Sequence, residues 1–186
     1  MQTQNNCLKL VSAYGDSRKL YREAGNDFGV FRSRVRLAEA YLACGRIFDS
    51  REMYKEAVGS APNDIVPIDL QLLGANLDWL EGNRKGAIKK GEAALSVCEN
   101  QDLKVMLWRT LGRMHILTGN LEEGRRLTDL AYEHDQSPDT QLNYVALALC
   151  SGEDPSPWLE AVLAEKEKGN IYIGLLLKEI QDECAK

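Results

Sequence analysis

The chain has 186 residues, enough for one compact domain or for four or five helical repeat units. Its 44% hydrophobic and 27% charged residues are ordinary for a soluble globular protein, and its net charge of −5 gives no support to generic polyanion binding. No apolar run approaches the ~20 residues needed to span a bilayer, and the polar start Met1 to Asn6 has no basic signal-peptide region, so a cytoplasmic protein is expected.

The five cysteines, Cys7, Cys44, Cys98, Cys150 and Cys184, contain no CxxC pair. An odd, scattered set fits reduced thiols packed as small hydrophobes.

In chain order, residues Cys7–Tyr14 read as a short first helix and Asp16–Asn26 as a second. The second carries Asp16-Ser17-Arg18-Lys19-Leu20-Tyr21-Arg22-Glu23-Ala24, which returns 33 residues later as Asp49-Ser50-Arg51-Glu52-Met53-Tyr54-Lys55-Glu56-Ala57. A self-match at this period marks a chain built by stacking one supersecondary unit. The paired Tyr21/Tyr54 and Ala24/Ala57 read as stacking residues between units.

A second signal fixes the register. Glycines followed by a polar residue recur at Gly45-Arg46, Gly82-Asn83, Gly119-Asn120 and Gly152-Glu153, at intervals of 37, 37 and 33 residues. Each lies between two helical apolar patterns, where glycine suits the left-handed residue that ends a helix.

The predicted units are 7–30 (partial), 31–64, 65–101, 102–137 and 138–169, followed by an end helix over 170–185. In unit 31–64, Val35, Leu37, Ala38, Tyr41 and Leu42 form the first apolar stripe, and Ser50, Met53, Tyr54, Ala57 and Val58 the second. Pro62 with Asn63-Asp64 stops the second helix and starts the next. In unit 138–169 the first helix carries Leu142, Val145, Ala146 and Leu149, and Pro155 and Pro157 open the second. The end helix has Ile173, Leu176, Leu177, Ile180 and Cys184 on one stripe, with Lys178, Glu179, Asp182 and Glu183 opposite. That pattern suits a helix that solvates the last repeat.

These units resemble the tetratricopeptide repeat family. Trp108, Leu111 and Gly112 reproduce its W-x2-L-G opening, with His115 where tyrosine is usual and Gly119, Gly124 and Ala131 in register. Leu37-Ala38, Tyr41, Ser50, Tyr54, Ala57 and Pro62 fit unit 31–64, with Arg34 in place of the leading aromatic. Leu70, Leu73-Gly74, Leu77, Ala87 and Ala94 fit unit 65–101. The resemblance implies an all-α α-α superhelix of about four antiparallel helix pairs plus the capping helix. It also implies a groove, lined by the first helices, that binds a peptide or partner helix. Transferred position by position, the groove residues are Arg32 and Glu39, then Gln71, Ala75 and Asp78, or Asn76 and Trp79 in a register shifted by one. The third unit adds Met106, Arg109, Arg113 and Ile116. Arg109 and Arg113 share one helix face and read either as solvated or internally paired arginines, with Asp78 or another carboxylate of the preceding helix as partner, or as a candidate site for an acidic segment or a terminal carboxylate. The Lys, Asn and Arg set by which some members clamp chaperone tails is absent.

Nothing nominates an enzyme. The histidines His115 and His134 lack partners at metal-ligand spacing, and there is no phosphate loop, nucleophile elbow or dinucleotide fingerprint. His115 reads as a helix-contact residue and Trp158 as packing on the previous repeat; Trp79 reads first as a core residue, with a binding hot spot as the alternative. The expected function is therefore a protein–protein interaction module: an adaptor, a scaffold or a secretion-type chaperone. It would take an amphipathic partner segment, an acidic one where Arg109 and Arg113 face it, and need no cofactor, metal, nucleic acid or membrane, with homo-oligomerisation open. The alternative is a regulatory or ligand-sensing domain of a larger protein.

Overall fold

The structure is a computed structural model that describes residues 2–62, 66–168 and 171–185, with side chains described over 7–62, 66–168 and 173–185. Asn63-Asp64, expected to start a helix, lie outside the described residues. Among the described residues the chain is all-α and has no strand. The helices are α1 (Gln2–Glu23), α2 (Asp27–Ala43), α3 (Ile47–Val58), α4 (Ile68–Leu80), α5 (Arg84–Val97), α6 (Gln101–Leu117), α7 (Leu121–Tyr132), α8 (Pro138–Ser151), α9 (Ser156–Glu167) and α10 (Ile171–Cys184). None is long and apolar enough to cross a membrane.

Helices adjacent in sequence pack on one another, and α4, α6 and α8 also touch in a row. The rhythmic glycines make the turns within α2–α3, α4–α5, α6–α7 and α8–α9. Gly45, Gly82, Gly119 and Gly152 all hold φ between 70° and 85°, a region closed to most side chains. Asparagine follows two of them and caps the next helix: Asn83 accepts from the Gly86 N–H at 3.2 Å, and Asn120 from the Glu123 N–H at 3.5 Å.

The N-terminal expectation is corrected. Residues 2–23 form one helix rather than two. Gly15 meets nothing within 4 Å and is carried in the helix at a cost of about 1 kcal/mol relative to alanine. The chain turns instead at Gly25 (φ 64°), with Asn26 capping α2 through the Gly29 N–H at 2.8 Å. Ala24 lies just past the end of α1 and is exposed, so it does not stack, whereas its counterpart Ala57 is fully buried. The tyrosines do match: the Tyr21 ring lies on Gly29 and the Tyr54 ring on Gly74, each on the helix that begins the next pair.

Small residues set the helix spacing within a pair. A Cβ on Gly124 would stand 2.5 Å from Ile116 Cγ1, and one on Gly112 2.9 Å from Thr128 Oγ1, so α6 and α7 approach backbone to backbone. Ser50, completely buried, donates to the Ala38 carbonyl at 2.7 Å and does the same between α3 and α2.

The largest core cluster is not confined to neighbours in the stack. It joins Trp79 of α4, Met114 of α6, and Leu142 and Val145 of α8 to Ile173, Leu176, Leu177 and Ile180 of α10. The helix expected at 170–185 forms, but it does more than solvate an end. Besides packing on α8 and α9 it reaches back to α6 and α2.

The cysteine expectation is corrected as well. Cys7 is bonded to Cys44 and Cys150 to Cys184, with Cα–Cα separations of 5.8 and 4.6 Å; Cys98 is free and buried. The paired residues are 37 and 34 positions apart, close to one repeat period. Stacking therefore brings them together, and no short spacing rule detects it.

Candidate functional site

Two concavities lie among α2, α4, α6 and α10. The first, about 440 Å³, is lined by α2 (Arg36, Glu39, Leu42, Ala43), α4 (Asp69, Leu72, Leu73, Asn76) and Met106 of α6. Its floor is apolar: Leu42, Leu72 and Leu73 are buried. Its rim is charged, with Arg36 donating to Glu39 at 2.7 Å and Arg32 to Asp69 at 3.1 Å, the latter tying α2 to α4. Met106 is 40% exposed at the edge. The second, about 340 Å³, lies between the α2–α3 and α4–α5 turns and α10, with Leu42, Ile47, Leu80 and Leu175 among its apolar walls.

The α10 side of this region is polar as well as apolar. Trp79 donates its indole N–H to Glu179 Oε1 at 2.6 Å, and the Arg84 guanidinium stacks over the Trp79 ring at 5.1 Å. Arg84 also forms a bidentate pair with Glu183 at 2.6 and 3.1 Å. Glu179 Oε2 is buried and accepts no hydrogen bond from the described residues.

The residues transferred from the family pattern separate into three groups. Glu39 and Met106 line the first concavity, and Arg32 is paired with Asp69 on its rim. Gln71 and Arg109 are engaged in local structure. Gln71 donates to the Val66 carbonyl at 2.8 Å, and Arg109 pairs with Asp135 at 3.1 Å and Asp139 at 3.7 Å. Burial pushes the Asp135 carboxyl up, but hydrogen bonds from Ser137 and Thr140, with Arg109 close by, hold it below the usual carboxylate range.

Asp78, Ala75, Ile116 and Arg113 do not present a groove surface. Asp78 points to the second helices, bonded to Arg51 of α3 at 2.8 Å and Lys90 of α5 at 2.5 Å. Burial raises its pKa, and the Lys90 and Arg51 hydrogen bonds outweigh that and lower it below the ordinary value. Ala75 and Ile116 are core residues at 0% and 1% exposure, Ile116 pressed against Gly124 of α7. Arg113 is 6% exposed and sits beside Asn76, Trp79 and Leu176 rather than on an open face. Arg109 and Arg113 thus share a helix but not an exposed anion site.

The shifted register describes α4 better: Asn76 lines the first concavity and Trp79 the second. Arg36, Asp69 and Leu72 belong to the site and were not among the sequence candidates, although an amphipathic wheel of α2 and α4 places Arg36 and Leu72 one turn, and Asp69 two turns, from residues that were. Glu179 and Glu183 were assigned to solvent because nothing local in sequence connects them to α4 or α5.

Other expectations resolve into packing. His115 is nearly buried with Nε2 3.6 Å from Glu92, and Trp108 stacks on His134 at 6.0 Å. Trp158 stacks on Tyr144 of its own pair at 5.2 Å, and Tyr132 of the preceding pair meets that Tyr144 ring edge-on. Among the described residues no group of three His, Cys, Asp or Glu is placed to hold a metal ion. No family model, curated protein or solved structure matches the chain.

Proposed function

We propose that this chain is a non-enzymatic interaction module, a helical-repeat scaffold of tetratricopeptide type that holds an amphipathic segment of a partner protein. One observation carries the reading. The concavity between α2 and α4 has a buried leucine floor, a rim of Arg36, Glu39, Asp69 and Asn76, and an open edge at Met106. An apolar floor with a few convergent polar groups is how a groove takes one face of a helix and fixes its register. The residues that resemble the family support the scaffold: Leu111-Gly112 and Leu73-Gly74 sit where close packing needs them. The two cysteine pairs favour an oxidising or redox-cycled compartment over the permanently reduced cytoplasm expected from the sequence.

The test is affinity capture with the wild type, with Met106→Glu at the edge of the concavity, and with Lys89→Glu on exposed α5 as the control. The expected outcome is a captured partner lost with Met106→Glu and retained with Lys89→Glu, both variants keeping the wild-type circular dichroism. A captured set indifferent to Met106→Glu overturns the reading.

A further inference from the structure

We infer that α10 is a redox-latched strap over a helix-binding surface. The Cys150–Cys184 disulfide holds it down, and its reduction exposes the seat on α4, α6 and α8 to an amphipathic helix that carries two carboxylates one turn apart. The inference rests on the interaction reading above and deepens it by naming the occupant and the control of access.

The seat itself defines the occupant. α10 lays an i, i+3, i+4, i+7 stripe, Ile173, Leu176, Leu177 and Ile180, into a core shared with Trp79, Met114, Leu142 and Val145. On its flank Glu179 and Glu183, four residues and so one turn apart, meet the Trp79 indole N–H and the Arg84 guanidinium. A helix from another protein that takes this seat in place of α10 needs the same two features.

The same seat is imperfect without the disulfide. Glu179 Oε2 is buried with no donor among the described residues, and a buried unpaired carboxylate oxygen opposes binding. Arg113, 6% exposed beside Leu176, has no carboxylate within ion-pair distance among the described residues. A cavity of about 340 Å³ remains along α10 where Leu175, 45% exposed, faces the α2–α3 turn without filling the space. Each of these weakens the hold of α10 on the body of the protein. The covalent link at its C-terminal end compensates by adding a second tether to the backbone connection that follows α9, which restricts the conformations open to a released α10.

The disulfide is placed to act as the latch. It joins the last turn of α10 to the last turn of α8, and both cysteines are half-buried rather than sealed in the core. The step is a two-electron thiol–disulfide exchange. A protein dithiol attacks one sulfur, its second thiol resolves the mixed disulfide, and the chain is left with Cys150 and Cys184 thiols while the dithiol becomes a disulfide. The Cys7–Cys44 link joins α1 to the residue that ends α2, beside the turn that Leu175 faces, but it makes no covalent tie to α10, so its loss leaves the latch itself intact.

The experiment uses the full chain, oxidised and then reduced with dithiothreitol, and reads amide hydrogen exchange over residues 173–184. Cys150→Ser/Cys184→Ser and Cys7→Ser/Cys44→Ser are run beside the wild type. The expected result is at least about tenfold faster exchange in α10 on reduction of the wild type and of the Cys7/Cys44 variant. The Cys150/Cys184 variant should exchange fast in both conditions, with α4 and α6 still protected in all. Equal protection of α10 in oxidised and reduced wild type overturns the latch. So does release that follows the Cys7–Cys44 pair instead.

The surface is probed with a labelled synthetic peptide of residues 171–185 carrying Cys184→Ser. Binding to the reduced but not the oxidised chain supports the seat. Failure to bind although α10 is released overturns it, and so does a reduced chain that instead exchanges α10 into dimers. Failure of the interaction reading has a different signature, since the Met106→Glu capture result does not alter exchange in α10.

Discussion

Trp79 and Glu179 lie one hundred residues apart and share the hydrogen bond that fastens the last helix to the middle of the stack, indole N–H to carboxylate at 2.6 Å. Glu179 already has one buried oxygen without a donor among the described residues. Trp79→Phe takes the donor from the other and is expected to lower stability by about 1–3 kcal/mol. Glu179→Gln keeps an acceptor for the indole while removing a buried charge, and should cost much less. Urea midpoints of the oxidised proteins check the order; a Glu179→Gln loss larger than the Trp79→Phe loss contradicts it.

Asp78 should give a pH-dependent signature. Its folded-state carboxyl is held below its unfolded value of about 3.9 by hydrogen bonds from Lys90 and Arg51 that outweigh burial. Stability from this group is therefore fully present above the unfolded pKa and is lost as pH falls through the folded one. Asp78→Asn should be clearly less stable than wild type at pH 7. The gap should shrink as pH falls below about 4 and on through the lowered folded-state pKa of Asp78. A gap that is constant from pH 7 to pH 2 would show that the carboxylate charge contributes nothing.

Gly74 is fixed by Tyr54. A Cβ at position 74 would overlap the tyrosine hydroxyl and ring edge, so Gly74→Ala should destabilise by about 1–3 kcal/mol through overpacking. Tyr54→Ala in the same chain removes the obstruction, and the double variant should lose less than the sum of the singles. Additive losses in thermal melts would mean that the glycine is needed for another reason.

The stacking unit was legible from residues that act locally. Gly45, Gly82, Gly119 and Gly152 announce left-handed turns, and Leu73-Gly74 and Leu111-Gly112 announce close packing, because a missing Cβ has one dominant use in each place. Gly15 misled because a glycine within a long, mostly polar helix does not by itself end it. The site was less legible. A rotation of one residue along α4 exchanges Asp78, which serves α3 and α5, for Trp79, which serves α10, and both patterns fit the same apolar spacing. The return of α10 to α6 and α2 arises from closing the stack back on itself, and the Cys150–Cys184 link spans one repeat period, longer than any spacing rule for cysteines reads.

The two arginines of α6 should respond in opposite ways. Arg109→Ala strips Asp135 and Asp139 of their cation and is expected to cost about 1 kcal/mol. Arg113, buried with no ion pair among the described residues, should tolerate Arg113→Met with unchanged or raised stability. Chemical denaturation of both separates the cases, and a large loss for Arg113→Met would reveal a partner that the geometry does not provide.

A row of helical hairpins in which each touches only the next unfolds piecemeal, its ends fraying while its middle persists. The return of α10 to α6 and α2 joins the two extremities of such a row. That closure converts a string of loosely coupled units into one that melts together, so a disturbance at Glu179 is felt at the far turn of Gly45. Cooperativity of this protein is thus a property of its last fourteen-residue helix rather than of the repeats that make up most of its length.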